Sequence, residues 1–253
     1  MECNMGSSIL CKSCLFSSIL LLLVAESHSQ GIVSRATYYK SSDGFGTPTG
    51  ACGYGEYGRK INGGRVTGVS KLYRNGAGCG ACYQVKCKVP LYCSEDGTTV
   101  VVTDHGEGAH IADFVLSQNA FAEMALPDTA SKLFSYGVIG VEYNRIPCLY
   151  DADLLLKVHE TSKYPVYLAV LLLFLPGADD ITAFQVWQEE SNEWKPMHRA
   201  YGAVYDITNP PLGALTLRFL VTVSADYNYW VQLDNVLPTD WEAGLTYNTG
   251  ISS

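Results

Sequence analysis

The sequence predicts an all-β protein built from two successive regions, and three observations predict it. The cysteines beyond residue 29 all fall before residue 149, in a stretch dense in glycine. Runs of β-branched and apolar residues of strand length recur along the chain, punctuated by Gly, Pro, Asn and Asp turn signals. From Asp151 onward there is no cysteine and no helical period, only short apolar runs, the pattern of a β-sandwich of about 100 residues.

Residues 1–29 read as a signal peptide. Lys12 supplies a weak positive start, and Leu15 to Ala25 is mostly apolar around Leu20, Leu21, Leu22, Leu23 and Val24. Small residues follow at Ser27 and Ser29, which places cleavage after Ser29. The apolar run is too short for a bilayer span of about 20 residues, so export rather than stable membrane insertion is expected. Cys3, Cys11 and Cys14 lie in this leader, leaving Cys52, Cys79, Cys82, Cys87, Cys93 and Cys148. An even number in an oxidising compartment implies disulfides, and spacing alone leaves the pairing open. Cys79-Gly-Ala-Cys82 has the spacing of half a zinc site, but neither a second CxxC nor a nearby His pair accompanies it, so no metal is implied.

In the first region, Gly44, Gly46, Gly50, Gly53, Gly55, Gly58, Gly63, Gly64 and Gly68 suit short strands joined by tight turns. Thr98 to Thr103 and Val138 to Tyr143 read as strands, with a helix over Asn119 to Met124 capped by Ser117. In the second region the strand-like runs are Leu154 to Val158, Val166 to Leu175, Ile181 to Gln188 and Leu215 to Val223. Turns at Pro176 to Asp179 and Asn209 to Gly213 separate some of them. Val166 to Leu175 is apolar throughout yet far shorter than a membrane span, which makes it a buried sandwich strand.

The 253 residues are 47% hydrophobic and 17% charged, a globular balance, with a formal net charge of −8. That charge argues against a nucleic-acid partner and gives no general attraction to an acidic polymer. No N-x-S/T acceptor site and no internal repeat is present.

Specific motifs sharpen the reading. Gly50-Ala51-Cys52-Gly53-Tyr54-Gly55 resembles the GACGYG motif of plant expansins, and Gly78-Cys79-Gly80-Ala81-Cys82-Tyr83-Gln84-Val85 resembles their CGxCY segment. Thr37-Tyr38-Tyr39 is similar to the family's TWY, and Val102-Thr103-Asp104 to its VTD. Trp194-Lys195-Pro196-Met197 and Tyr201-Gly202-Ala203-Val204-Tyr205 resemble the WxPM and WGxxW pattern of its carbohydrate-binding domain. Leu72 to Gly76 and Thr103 to Gly108 resemble the expansin-like B group in particular.

The resemblance implies a six-stranded double-psi β-barrel over residues 30–149, similar to family-45 endoglucanases. An immunoglobulin-like β-sandwich over residues 150–253 follows it. It implies the pairings Cys52–Cys79, Cys82–Cys148 and Cys87–Cys93. It further implies a secreted, monomeric protein of the plant cell wall that binds cellulose or matrix glucan. No cofactor is expected.

Hydrolysis of a glycosidic bond needs two carboxyl groups across it, about 6.5–9.5 Å apart when the product is inverted. The related endoglucanases carry one aspartate near the first strand. Here that segment is Thr37-Tyr38-Tyr39-Lys40-Ser41, without a carboxylate. A phenol with a pKa of about 10 is a poor base. Typical expansins carry His-Phe-Asp before Leu-Ser; the matching segment is Asp113-Phe114-Val115-Leu116-Ser117, with Val115 at the acid position. No catalytic residue is therefore assigned. Tyr39, Asp104 and Asp113 are expected to line a polysaccharide-binding groove, with His105, Glu107 and His110 in a neighbouring loop. Asp113 is expected on the same face as Val115. Two alternatives stand beside non-hydrolytic wall loosening: a binding module without loosening activity, and a weak hydrolase using Asp104 and Asp113.

Exposed flat aromatics stack on the apolar C–H face of a sugar ring. Tyr167 and Tyr201 match the family's stacking positions and are expected at the surface. Trp187, Trp194, Tyr205 and Trp241 are expected in the sandwich core.

Overall fold

The structure, a computed structural model, describes residues 31–106 and 112–252. The expected signal peptide, with Cys3, Cys11 and Cys14, lies outside the described residues, as do Glu107 and His110.

Six strands close the barrel: β1 (Ile32–Tyr38), β2 (Val66–Val69), β3 (Cys82–Cys87), β4 (Thr98–His105), β5 (Phe114–Leu116) and β6 (Ile139–Ile146). Their order around it is β1-β5-β2-β4-β3-β6, with β1–β5 and β2–β4 parallel. Alternation drives closure, since every second residue turns inward. Val100 and Val102 of β4 and Phe114 and Leu116 of β5 are all fully buried. Short helices α1 (Gly55–Lys60), α2 (Gln118–Glu123) and α3 (Ala130–Phe134) decorate the barrel. Helix α2 is the one expected from sequence, and the Ser117 hydroxyl caps it by accepting the Ala120 N–H at 3.3 Å. All three disulfides pair as the resemblance implies: Cys52–Cys79, Cys82–Cys148 and Cys87–Cys93.

The second region is a two-sheet sandwich. One sheet runs β10 (Glu193–Pro196), β9 (Asp180–Gln188), β13 (Leu215–Thr222), β14 (Asn228–Leu237). The other runs β11 (His198–Tyr201), β12 (Val204–Thr208), β8 (Tyr167–Leu173), β7 (Asp153–Val158), β15 (Thr246–Ser252). Leu156, Leu168, Phe184, Leu217 and Trp241 fill the space between them.

Strand β8 explains its own composition. Leu168, Val170 and Leu172 point into the sandwich core, whereas Ala169, Leu171 and Leu173 join the barrel's apolar cluster. A strand buried on both faces has no polar position, hence the unbroken apolar run. The residues from Ile32 on consequently form one compact unit. Polar contacts reinforce this junction. Asp180 of β9 takes Arg74 and Arg145 from the barrel, each at 2.8 Å, and the Tyr57 hydroxyl accepts the Phe174 N–H at 3.0 Å. Among the described residues no helix is long and apolar enough to cross a membrane.

Candidate functional site

The segment Gly50–Cys52 lies against the end of β4, and Asp104 ties it there. Its Oδ1 accepts the Ala51 N–H at 2.7 Å and the His105 N–H at 2.8 Å, while Oδ2 accepts the Tyr39 hydroxyl at 2.9 Å. Both oxygens are engaged, so this carboxylate is a clamp between the first strand's end and the loop. Tyr39 reaches it by crossing β2 at Gly68, where an added Cβ would stand 2.5 Å from the Tyr39 oxygen. Only a residue without a side chain leaves that path open. Burial, and next the Asp104 charge, push the Tyr39 phenol far above its ordinary pKa, so it stays protonated and serves only as a hydrogen-bonding group.

Asp113 is held by a different set. Its Oδ2 accepts the Ser34 hydroxyl at 2.6 Å and its Oδ1 the Ser70 hydroxyl at 3.3 Å. Val115 lies opposite Gly68 in the β2–β5 pairing and is half-buried, like Asp113; Phe114 between them is fully buried. Asp113 and Val115 thus share the outward side of β5, as expected from a two-residue spacing. His105 stacks on Tyr73 with ring centroids 4.4 Å apart, and the Tyr73 hydroxyl donates to the Ala51 carbonyl at 3.2 Å. Tyr73 belongs to a 3₁₀ segment, Lys71–Gly76, in which Arg74 and Asn75 take positive φ. This segment therefore faces both ways: Tyr73 toward the Asp104 loop, Arg74 toward Asp180.

Tyr201 sits where the sandwich meets the barrel loop, beside Gly53, and remains 46% exposed. Tyr167 is half-buried; its hydroxyl donates to Asp206 Oδ2 at 2.8 Å. The other oxygen of Asp206 lies 3.2 Å from Nδ1 of the exposed His198. Behind Tyr201 stands His159, buried, with Nε2 at 3.0 Å from the Tyr201 hydroxyl. His159 Nδ1 accepts the Thr161 N–H at 3.1 Å, so the neutral ring carries its proton on Nε2 and donates it to Tyr201. Burial lowers the pKa of this imidazole. Sequence reasoning found neither His159 nor Asp206, since each meets its tyrosine only through sheet pairing about forty residues away in the chain.

The expected core roles hold for Tyr205 and Trp241, each 2% exposed. They fail for Trp187 and Trp194. These two face each other across β9 and β10 on the outer side of their sheet and are half-buried, because the neighbouring Val186 takes the inward position. No group of three or more His, Cys, Asp or Glu able to hold a metal ion occurs among the described residues.

A family model described as "Expansin C-terminal domain" matches residues 155–238, and one described as "Lytic transglycolase" matches residues 65–143. The chain is 53% identical over 240 residues to "Expansin-like B1" of Arabidopsis thaliana, covering 94% of this chain and 95% of that one. It is 40% identical over 241 residues to "Expansin-like B1" of Oryza sativa subsp. japonica, covering 94% of each. Among solved structures, an apo Clavibacter michiganensis expansin aligns with a TM-score of 0.65 at 20% identity, over 87% of this chain and 98% of that one. A mutant of the Clavibacter expansin in complex with cellohexaose aligns with a TM-score of 0.64 at 19% identity, with the same coverage.

Proposed function

The chain belongs to the plant expansin family and is similar to its expansin-like B members, and from that premise we propose that it is a secreted protein that binds cell-wall polysaccharide and loosens the wall without cleaving it. A leader at 1–29 directs export and is removed, and the barrel at 30–149 and the sandwich at 150–253 are its working parts. Cellulose or matrix glucan would lie along Tyr39, Asp104 and Asp113 and stack on Tyr201 and Tyr167. The wall is its place of action, it acts as a monomer, and it needs no cofactor.

One observation carries the non-hydrolytic reading. Asp104, the best-placed carboxylate, already accepts three hydrogen bonds from within the barrel. Asp113 is held by Ser34 and Ser70, and the family resemblance puts Val115 where an acid would stand. A glycosidase needs one carboxyl group to give a proton and another to activate water or attack the sugar. In this reading Asp104 and Asp113 serve as structural acceptors rather than as an acid and base pair. The cellohexaose-bound Clavibacter protein of the same fold supports glucan as the ligand class.

The test is extension of heat-inactivated plant walls under constant load with purified protein, with reducing sugar assayed in the same bath. Creep without sugar release is expected. Sugar release would restore the hydrolase. Binding to insoluble glucan without creep would favour a module that binds only.

A further inference from the structure

Three of the chain's four tryptophans lie on one surface that no core explains. Phe184, Val186, Leu217, Phe219 and Leu233 turn into the sandwich. By alternation Gln185, Trp187, Arg218 and Trp230 turn outward, and Trp194 pairs directly with Trp187. The outer face of a sandwich sheet is ordinarily polar. Here Trp187 meets Trp194 at a centroid distance of 5.3 Å, and the Arg218 guanidinium stands 4.2 Å from the Trp194 ring and 4.4 Å from the Trp230 ring. Arg218 Nε donates to Gln185 Oε1 at 2.8 Å, which fixes the guanidinium in place. The ladder crosses all four strands, a width of about 14 Å at the usual strand spacing. Trp230 is still 37% exposed.

A cavity of about 280 Å³ opens at the Trp187 end of the ladder, ringed by Glu189, Glu190, Asn209, Thr216 and Asn235. A β-bulge between Leu215 and Leu217 shapes this end of the sheet, with Asn235 at φ 46° and its N–H donated to Thr216 Oγ1 at 2.9 Å. The size is near the lower end of small-ligand sites, roughly 300–1,000 Å³.

We propose that this face is a second glycan-binding site, taking a neutral, flat β-linked glucan chain. A pyranose ring is apolar on its C–H faces and polar at its hydroxyl edges. An indole surface bordered by amide, hydroxyl and carboxylate groups matches both. Glu189 and Glu190 disfavour uronate polymers at the cavity, while the Arg218 guanidinium is taken up by Trp194, Trp230 and Gln185. Tyr167 and Tyr201 stand on the opposite side of the sandwich, so the protein would bridge two polymer chains, gaining avidity with no further contact. This inference rests on the function proposed above only for the choice of glucan as probe.

Tryptophan emission reports on the site, because three of the four tryptophans lie in it, none precedes Trp187, and the fourth, Trp241, is buried. Cellohexaose titrated into the full chain should shift emission and protect it from acrylamide quenching. The response should persist in Tyr167→Ala/Tyr201→Ala and weaken about tenfold or more in Trp187→Ala. Wild type should flocculate cellulose microcrystals, and variants of either face should bind them without flocculating. Trp187→Phe/Trp230→Phe, which keeps aromatic packing, serves where the alanine variants lose native circular dichroism. Unchanged emission with retained cellulose pull-down would overturn the second site and leave the groove reading standing. Loss of all glucan binding in wild type would overturn both. A dimer in sedimentation without sugar, abolished by Trp230→Ala, would overturn it by assigning the face to a second copy of the chain.

Discussion

Replacing Asp104 by alanine removes the acceptor of three hydrogen bonds at once. The Ala51 and His105 N–H groups and the Tyr39 hydroxyl, at 2.7, 2.8 and 2.9 Å, lose their partner together. A hydrogen bond to a charged group contributes about 1.5–3 kcal/mol, and the half-exposed site lets water replace part of it. The expected loss is therefore about 3–5 kcal/mol rather than the full sum. Asparagine keeps an oxygen for both N–H groups, and its amide can donate to the Tyr39 oxygen, so Asp104→Asn should cost about 1 kcal/mol. Urea unfolding with the disulfides intact measures both variants. A loss below about 1 kcal/mol for the alanine variant would refute the clamp. Function separates the same way: wall creep retained in Asp104→Asn means the charge does no chemistry, and creep lost in a stably folded Asp104→Asn means that it does.

Gly76 has φ 92°, and an added Cβ would fall 2.2 Å from the Gly202 carbonyl oxygen. Gly76→Ala should cost about 2–4 kcal/mol from left-handed strain and backbone overlap together, a drop in Tm of about 5–15 °C. An unchanged melting curve would show that barrel and sandwich do not meet there. His159 supplies a pH dependence. Its pKa is lowered by burial, with Glu160 opposing and Lys157 assisting. The unfolded imidazole, at about 6.5, takes its proton first, so stability due to the neutral ring is present above that pH and lost as pH falls through the lower folded value. The Tm difference between wild type and His159→Asn should shrink from about pH 7.5 to about pH 5, with the Tyr201 contact weakening alongside; a parallel pair of pH curves would contradict this.

Two barrel strands and one helix were legible because their signals are local. The β-branched run at Thr98 to Thr103, the Ser117 cap and the glycine-rich turns each act within a few residues. Strands β10–β12, β14 and β15 escaped detection because aromatic side chains stand at outward positions, Tyr201 and Trp230 among them, which blurs the alternation. The short helix α1, with Gly55 and Gly58 inside it, has no favourable propensity and rests on packing, through Tyr57 against Phe174.

By itself the sequence determined the fold class, and its family motifs implied the disulfide pairing that the structure shows. Those follow from residue identity and short-range periodicity. Only the tertiary structure decided what the surviving groups do. Asp104 proved to be a clamp, Tyr201 to rest on a buried histidine, and Trp187 and Trp194 to face outward with Arg218 and Trp230. Each of these depends on partners brought from distant parts of the chain by strand register, and register shows only when the sheets are assembled.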